Sequence, residues 1–485
     1  MIRILQLTGL AFFLSSFGNA APRPNILLIV SEDNGAELGC YGEPSVKTPN
    51  LDRLASRGVL FERAYVPQAG CSQSRAAFLT GLYPHQNGQI GLATWKFQLY
   101  HESTPNLVRS LKSAGYRTGL IGKLHINPSS SFPFDFKKIP SANFSRKSLK
   151  IYASSANEFI TASDKPFFLS INYPDAHRPF LTQVKGIPKN PLTADDVKPL
   201  AYFGLDSAEL RQQTADYYNC MSRLDSQIGD LLSALKKSGK LDNTLIVYLG
   251  DHGADMLRGK RTSYEGGIRI PLIISWPGKI PSNTRRSQLV STLDLLPTFL
   301  DAAEAKPIPN LPGLNLSPVL KNPRSEWRTH LFTEYHLHSA HNFFPQRTVR
   351  NDRFKLIHNL LPDTINPGYQ FTLEKFFPGL PSVIAASPEP VRSAYQRMKK
   401  PPEFELYDLN DDPHEFINLA DNSAHQQTLT DLKTTLYKWR TETKDPLLKE
   451  QNLTQLQSEI NSSFQNGKPE KSKLHLSYPD YFFRN

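Results

Sequence analysis

Residues 25–35 read Asn-Ile-Leu-Leu-Ile-Val-Ser-Glu-Asp-Asn-Gly. From Ile26 to Val30 the run is apolar without a break, and rich in β-branched and branched side chains. It is too short for a helix of ordinary length, and its apolar residues do not alternate with polar ones. A strand that is apolar on both faces belongs inside a parallel sheet covered on both sides. Ser31-Glu32-Asp33-Asn34-Gly35 then ends it with turn formers and two carboxylates. In open α/β sheets, ligands bind outside the carboxyl ends of the strands, where Glu32 and Asp33 fall.

The same alternation continues outward. Thr48 and Pro49 open a helix whose apolar stripe is Leu51, Leu54 and Ala55, ending at Gly58. Ser103 or Thr104 begins another through Leu107 and Leu111 to Gly115, followed by a strand at Tyr116–Ile121. Further strands are predicted at Phe167–Tyr173, Leu245–Leu249 and Pro271–Trp276, with a long amphipathic helix over Ser207–Lys237. Strands alternating with helices predict an α/β fold: a large, mostly parallel mixed sheet flanked by helices, spanning 21–325. The Pro- and Asn-rich stretch near 305–330 marks a boundary. Short strands at Arg353–His358 and Glu405–Asp408 and a helix at Thr428–Thr441 predict a smaller C-terminal α+β domain over 326–450. Residues 451–485 read as a polar, irregular tail.

The chain has 485 residues, 39% hydrophobic and 11% aromatic, enough for one large core and a second smaller one. Met1-Ile2-Arg3, the apolar Ile4–Phe17 and Gly18-Asn19-Ala20 read as a secretory signal peptide over 1–20. No later stretch is long and apolar enough to span a membrane. These features predict a secreted or periplasmic protein, or a lysosomal one in a eukaryote. The three cysteines, Cys40, Cys71 and Cys220, are too few for a disulfide framework. One pair can form, most simply Cys40 with Cys220, leaving Cys71 free. The net charge of +11 draws polyanions by its long-range field. Its lysines and arginines are dispersed and no nucleic-acid-binding motif is present, so nucleic acid is not the expected partner.

Cys71 opens a second informative run, Cys-Ser-Gln-Ser-Arg-Ala-Ala-Phe-Leu-Thr-Gly, ending at Gly81. On its own, a lone cysteine is either a buried structural residue or a nucleophile. A cysteine four residues before Arg75, closed by Leu79-Thr80-Gly81, resembles the signature of the type I, formylglycine-dependent sulfatases. The resemblance covers roughly residues 23–446. It includes Pro84–Gly88, Pro133–Phe136, Asp175–Arg178, Tyr264–Pro271, Phe354–Asn359 and Glu405–Asp408, and leans toward the heparan N-sulfatase branch. Departures from the usual pattern include Gln73, where the family carries Pro or Ala, Glu32, where it carries Asp, His252, where Asn is common, and Lys260, whose context is the more general sulfatase one.

The resemblance implies a site. Cys71 would become formylglycine, whose hydrate attacks sulfur, after action by a formylglycine-generating or anaerobic maturation enzyme. Glu32, Asp33, Cys71, Asp251 and His252 would hold one calcium ion, and oxygen donors of this kind suit a hard cation. Arg75 and Lys123 would offset charge, and His125 would take a proton from the diol. His177 and Lys260 would serve the leaving group. Taken alone, Lys123-Leu124-His125 and Asp251-His252-Gly253 are as readily loop residues. Glu265 and Arg269 are read as structural. Glu334–His341, with three histidines, reaches the mouth of the site or decorates a loop.

The implied activity is hydrolysis of N- or O-sulfate from a sulfated polysaccharide, with an N-sulfoglucosamine substrate favoured. Two other readings stand beside it. A phosphoryl hydrolase of the alkaline phosphatase superfamily shares the sheet and acidic metal sites, but usually attacks through Ser or Thr. A non-catalytic sulfated-glycan-binding protein would result if Gln73 prevents conversion of Cys71.

Overall fold

A computed structural model describes residues 23–147 and 149–483. The signal peptide read at 1–20 lies outside the described residues. The main sheet uses β1 (Asn25–Ser31), β2 (Val59–Tyr65), β3 (Arg117–Gly122), β4 (Phe136–Lys138), β5 (Phe167–Tyr173), β6 (Thr244–Gly250), β7 (Arg269–Ser275), β8 (Thr284–Arg286) and β9 (Val290–Ser291). Its order is β4-β3-β5-β1-β6-β7-β2-β8, with β9 beside β2. Strands β4, β3, β5, β1 and β6 run parallel, while β7 is antiparallel to both β6 and β2. The result is the mostly parallel mixed sheet that the sequence predicts.

β1 lies at the centre and every residue of it is buried. Its period of two divides the core: Leu27 and Ile29 join one hydrophobic layer, while Ile26, Leu28 and Val30 join the other. Helix Ala208–Lys237 covers the first layer, capped by the Ser207 side chain, which accepts from Leu210 N at 3.2 Å. On the opposite face lie helices Leu107–Ser113 and Leu295–Ala302.

A second, antiparallel sheet has the order β10 (Leu331–Tyr335), β11 (Gln346–Arg350), β12 (Phe354–Asn359), β13 (Phe404–Asp408). Three expectations are corrected. The helix expected from Ser103 or Thr104 starts at Leu107, because Asn106 caps it, accepting from Arg109 N at 3.1 Å. The stretch from 451 is ordered structure: helix Glu450–Ser462, a hairpin of Phe464–Gln465 with Lys468–Pro469, and helix Tyr478–Phe482. Leu456, Ile460, Leu474 and Tyr478 supply its apolar anchor. Finally, Cys40 and Cys220 are not joined; both are free thiols. The Cys220 sulfur instead accepts from Arg223 at 3.2 Å.

Buried polar groups hold the two sheets together. Glu334 N donates to Pro67 O at 2.7 Å, and the Glu334 carboxylate accepts from His85 N at 2.8 Å. Arg347 makes two bonds of 2.8 Å to Asp445. It also donates to His336 Nε2 at 3.0 Å, so the His336 proton sits on Nδ1, facing Gln68 Oε1 at 3.2 Å. Burial, and then Arg347, push the His336 pKa down to about 3. The unfolded chain takes up this proton below a pH of about 6.5, but the fold refuses it until about 3, so stability falls as pH drops through that window. Denaturant melts from pH 6.5 to 4 are expected to show a shallower pH slope for His336→Gln, by up to about 1.4 kcal/mol per pH unit. Parallel slopes would show that His336 does not titrate this way.

Candidate active site

The carboxyl ends of β1, β3, β5 and β6 converge on the first turn of helix Cys71–Thr80. Cys71 is its first residue and is only 2% exposed. The free N–H groups and positive end of that helix favour negative charge beside residue 71. One turn on, Arg75 is fully buried and spends its donors on the strand ends. Nε donates to Asp251 Oδ2 at 3.1 Å, while one terminal nitrogen donates to Asn172 Oδ1 at 2.7 Å and Lys123 O at 3.1 Å. The other terminal nitrogen donates to Glu32. Burial disfavours the charge, but Glu32 and Asp251 outweigh it and hold the guanidinium pKa above its ordinary value.

β3 ends at Gly122, whose φ of +88° and 2.2 Å clearance between an added Cβ and Asn172 O demand glycine. The chain then delivers Lys123, whose Nζ donates to Glu32 Oε2 at 2.6 Å. Two residues on, His125 lines the same cavity as Cys71, and neither ring nitrogen has a hydrogen-bond partner. Burial and the neighbouring Lys123 and Arg75 charges hold it neutral, well below its ordinary pKa. Backbone strain marks this site as well: Asp33 (φ 48°) and His125 (φ 60°) both occupy the left-handed region.

The ends of β1 and β5 clamp each other through Glu32 N to Asp175 O at 3.1 Å and Ala176 N to Glu32 O at 2.7 Å. Asp175 is itself fixed by Arg223, at 2.7 and 2.8 Å, and by Arg146 Nε at 2.9 Å. His177 follows. Its Nδ1–H donates to Arg178 O at 2.6 Å, turning Nε2 toward Asp33, 3.9 Å from Oδ2. Phe144 stacks on the imidazole with centroids 3.6 Å apart. Burial, then Lys260 and Lys123, lower the His177 pKa to about 3.

Lys260 Nζ donates to both oxygens of Asp33, at 2.9 and 3.0 Å. Asp251 Oδ1 accepts from Asp33 N at 2.9 Å, and His252 Nε2 lies 3.3 Å from Asp33 Oδ1 and 3.4 Å from Cys71 Sγ. Burial works against a charged His252, yet Asp251 and Asp33 raise its pKa to about 9. All the residues singled out as catalytic or metal-binding therefore meet in one place: Glu32, Asp33, Cys71, Arg75, Lys123, His125, His177, Asp251, His252 and Lys260. Glu265 and Arg269 lie outside it: Glu265 pairs with Arg350 at 2.9 Å, and Arg269 donates to Glu62 O at 3.0 Å.

Donor atoms of Asp33, Cys71, Asp251 and His252 all lie within 4.8 Å of one another, as do those of Glu32, Asp33, Cys71 and His177. His252 Nδ1 faces Gly253 O at 2.9 Å and keeps its proton there, so Nε2 is the nitrogen that a cation would take as a ligand, displacing its proton. Each group combines two carboxylates with one imidazole beside Cys71, and such oxygen donors fit a hard divalent cation. Sequence reasoning missed Asn172, Arg146, Arg223 and Phe144. Asn172, next to the last residue of the mostly apolar β5, is readable as an exception; the others carry no local signal.

Buried cations and acids gathered around one nucleophilic position suit a hydrolase that removes an oxyanion from its carrier. The Sulfatase family matches residues 24–305, and the family described as N-sulphoglucosamine sulphohydrolase, C-terminal, matches 250–365. The chain is 33% identical over 472 residues to human N-sulphoglucosamine sulphohydrolase, covering 88% of this chain and 91% of that one. Its fold matches the solved structure of BT4656 in complex with its substrate D-glucosamine-2-N,6-O-disulfate (TM-score 0.64, 23% identity, 87% and 98% coverage). It also matches the phosphonate monoester hydrolase of Agrobacterium radiobacter (TM-score 0.63, 22% identity, 87% and 96% coverage). The chain belongs to the sulfatase family and is a hydrolase of sulfuric esters or sulfamates.

A hard divalent cation at this cluster is expected to raise the melting temperature, since a ligand at 100 times its Kd adds about 2.7 kcal/mol. Asp251→Asn should lose most of that shift in a calcium titration followed by thermal melts. An unchanged shift would place the cation elsewhere.

Proposed function

We propose that this chain is an exported, calcium-dependent sulfatase that removes an N- or O-sulfate from a glycosaminoglycan-like saccharide, with N-sulfoglucosamine the favoured unit. The observation carrying the chemistry is the position of Cys71. Its sulfur sits inside a donor set otherwise made of carboxylates and imidazole, facing Arg75, Lys123 and Lys260. Sulfur is a poor partner for a hard cation, whereas the hydroxyl of a formylglycine hydrate is a good one. The saccharide preference rests on the similarity to human N-sulphoglucosamine sulphohydrolase.

Bound calcium would lower the pKa of the attacking hydroxyl and screen the sulfate oxygens. The chain supplies the rest. One hydroxyl of residue 71 attacks sulfur, and the bond from sulfur to the sugar's nitrogen or oxygen breaks in line. Arg75 and Lys123 hold positive charge beside the attacked group. His177 and Lys260 stand on the leaving side, where a proton must reach the departing atom. In the free site His177 is neutral, with Nε2 bare; the incoming sulfate's negative charge is what favours its protonation. His125, neutral and without partners, accepts the proton of the second hydroxyl. The carbon–oxygen double bond then re-forms, sulfate leaves, and water restores the hydrate.

Two measurements test this reading. The Cys71 peptide, after co-expression with a maturation enzyme, should be lighter than its thiol form, having lost hydrogen sulfide and gained oxygen. Sulfate release from a panel of N- and O-sulfated disaccharides should then be greatest for the N-sulfated members. An unconverted thiol points to a glycan-binding protein, and turnover of phosphonate or phosphate esters alone points to the phosphoryl reading. Arg75→Ala and Lys123→Ala should each lower kcat by about 10²–10³-fold. His177→Ala should slow poor leaving groups more than good ones, and equal losses across a leaving-group series would remove it from that role.

A further inference from the structure

One segment of the C-terminal sheet enters this cavity without a role in the chemistry above. Between β10 and β11 the chain passes through a turn at Ala340–Asn342. His338, just before that turn, lines both the cavity of about 340 Å³ beside Cys71 and the outer cavity of about 660 Å³. It therefore stands where the two meet. Its Nδ1 is buried and has no hydrogen-bond partner. A bound ligand at this junction is what could satisfy it.

The backbone around His338 is fixed from several directions. His338 N donates to Asn342 Oδ1 at 3.1 Å, and its carbonyl accepts from Leu92 N at 2.9 Å. The preceding carbonyl, Leu337 O, accepts from Gln73 Nε2 at 2.6 Å and from Gln68 Nε2 at 3.0 Å. Both amides also reach Ile90 O, each at 3.3 Å. Gln73 is the third residue of the helix that Cys71 begins and is fully buried. Its Oε1 lies 2.6 Å from where a Cβ on residue 70 would be, so Gly70 gives the amide room to fold back. Alanine or proline at 73 has no amide to make this tie.

We propose that His338 binds the sugar ring bearing the scissile sulfate, and that Gln73 is the positioning residue that holds His338 at the junction. The proposal rests on the sulfatase reading above. An imidazole offers a ring hydroxyl either a donor or an acceptor, depending on its tautomer. Nearby, Trp95 and Phe371 flank His341, with ring centroids 5.3 and 5.2 Å away, and provide apolar faces for a saccharide in the outer cavity. Gln73, a departure from the family's usual residue, thus links the helix that carries the nucleophile to the segment that reads the substrate.

The test separates sugar contact from general damage. KM for N-sulfoglucosamine, or for the panel saccharide that the wild type cleaves best, is measured with the competitive Ki of inorganic sulfate, which carries no sugar ring. Neither quantity depends on the fraction of Cys71 converted, so a change in that fraction in a Gln73 variant does not enter the comparison. His338→Ala is expected to raise the saccharide KM about tenfold while leaving the sulfate Ki within about twofold. His338→Gln, which keeps a donor and an acceptor, should recover part of the loss. Gln73→Ala should show the same selective shift, smaller in size. Parallel changes in KM and Ki for His338→Ala, or no change in either, overturn the proposal while leaving the sulfatase reading intact. A wild type with converted Cys71 that releases no sulfate from any panel member overturns both.

Discussion

The structure depends most on one buried guanidinium. Arg75 ties helix Cys71–Thr80 to the ends of four strands, through Glu32 after β1, Lys123 O after β3, Asn172 in β5 and Asp251 after β6. Each of these contacts is buried, so the charges are strong and unscreened. Such pairing is costly to assemble and costly to break: removing one partner of a buried pair typically destabilises by about 3–5 kcal/mol. Architecture and electrostatics therefore cannot be separated here. The residue that places Cys71 also sets the potential around it.

Acids and cations alternate around that centre. Glu32 lies between Arg75 and Lys123, and Asp33 between Lys260 and His252. This interleaving keeps a dense group of charges nearly neutral in a dry environment. It also explains how Glu32 fits where a shorter acid is usual in the family. Its two oxygens are divided between two cationic partners, so the extra methylene reaches Arg75 and Lys123 as well as the cation cluster.

Much of this was legible in the chain. The β5 boundaries, Phe167–Tyr173, match the predicted strand because its apolar run is flanked by Pro166 and Pro174. Ser207 announced the cap of the long helix in the same way. Glu32, Asp33, Asp251 and His252 could be grouped because each follows a continuous apolar strand, and parallel strands bring such ends together. What stayed hidden depends on long-range contacts. Arg146 and Arg223 reach Asp175 from 29 and 48 residues away. Gln73 meets Leu337 across 264 residues. The helix Glu450–Ser462 was missed because its buried face is narrow, anchored by Leu456 and Ile460 among polar neighbours. A sequence window shows that such a segment is polar, but not which surface it lies against.

The burial of Cys71 also imposes a chronology. With 2% of the residue exposed, another protein's catalytic centre has no route to its sulfur once the helix has docked on the strand ends. On the sulfatase mechanism proposed above, oxidation by an external enzyme would have to come before collapse, while the segment is still extended and accessible. Thiol molecules that collapse first would then keep their thiol until they unfold, and the yield of competent protein would follow a race between two rates.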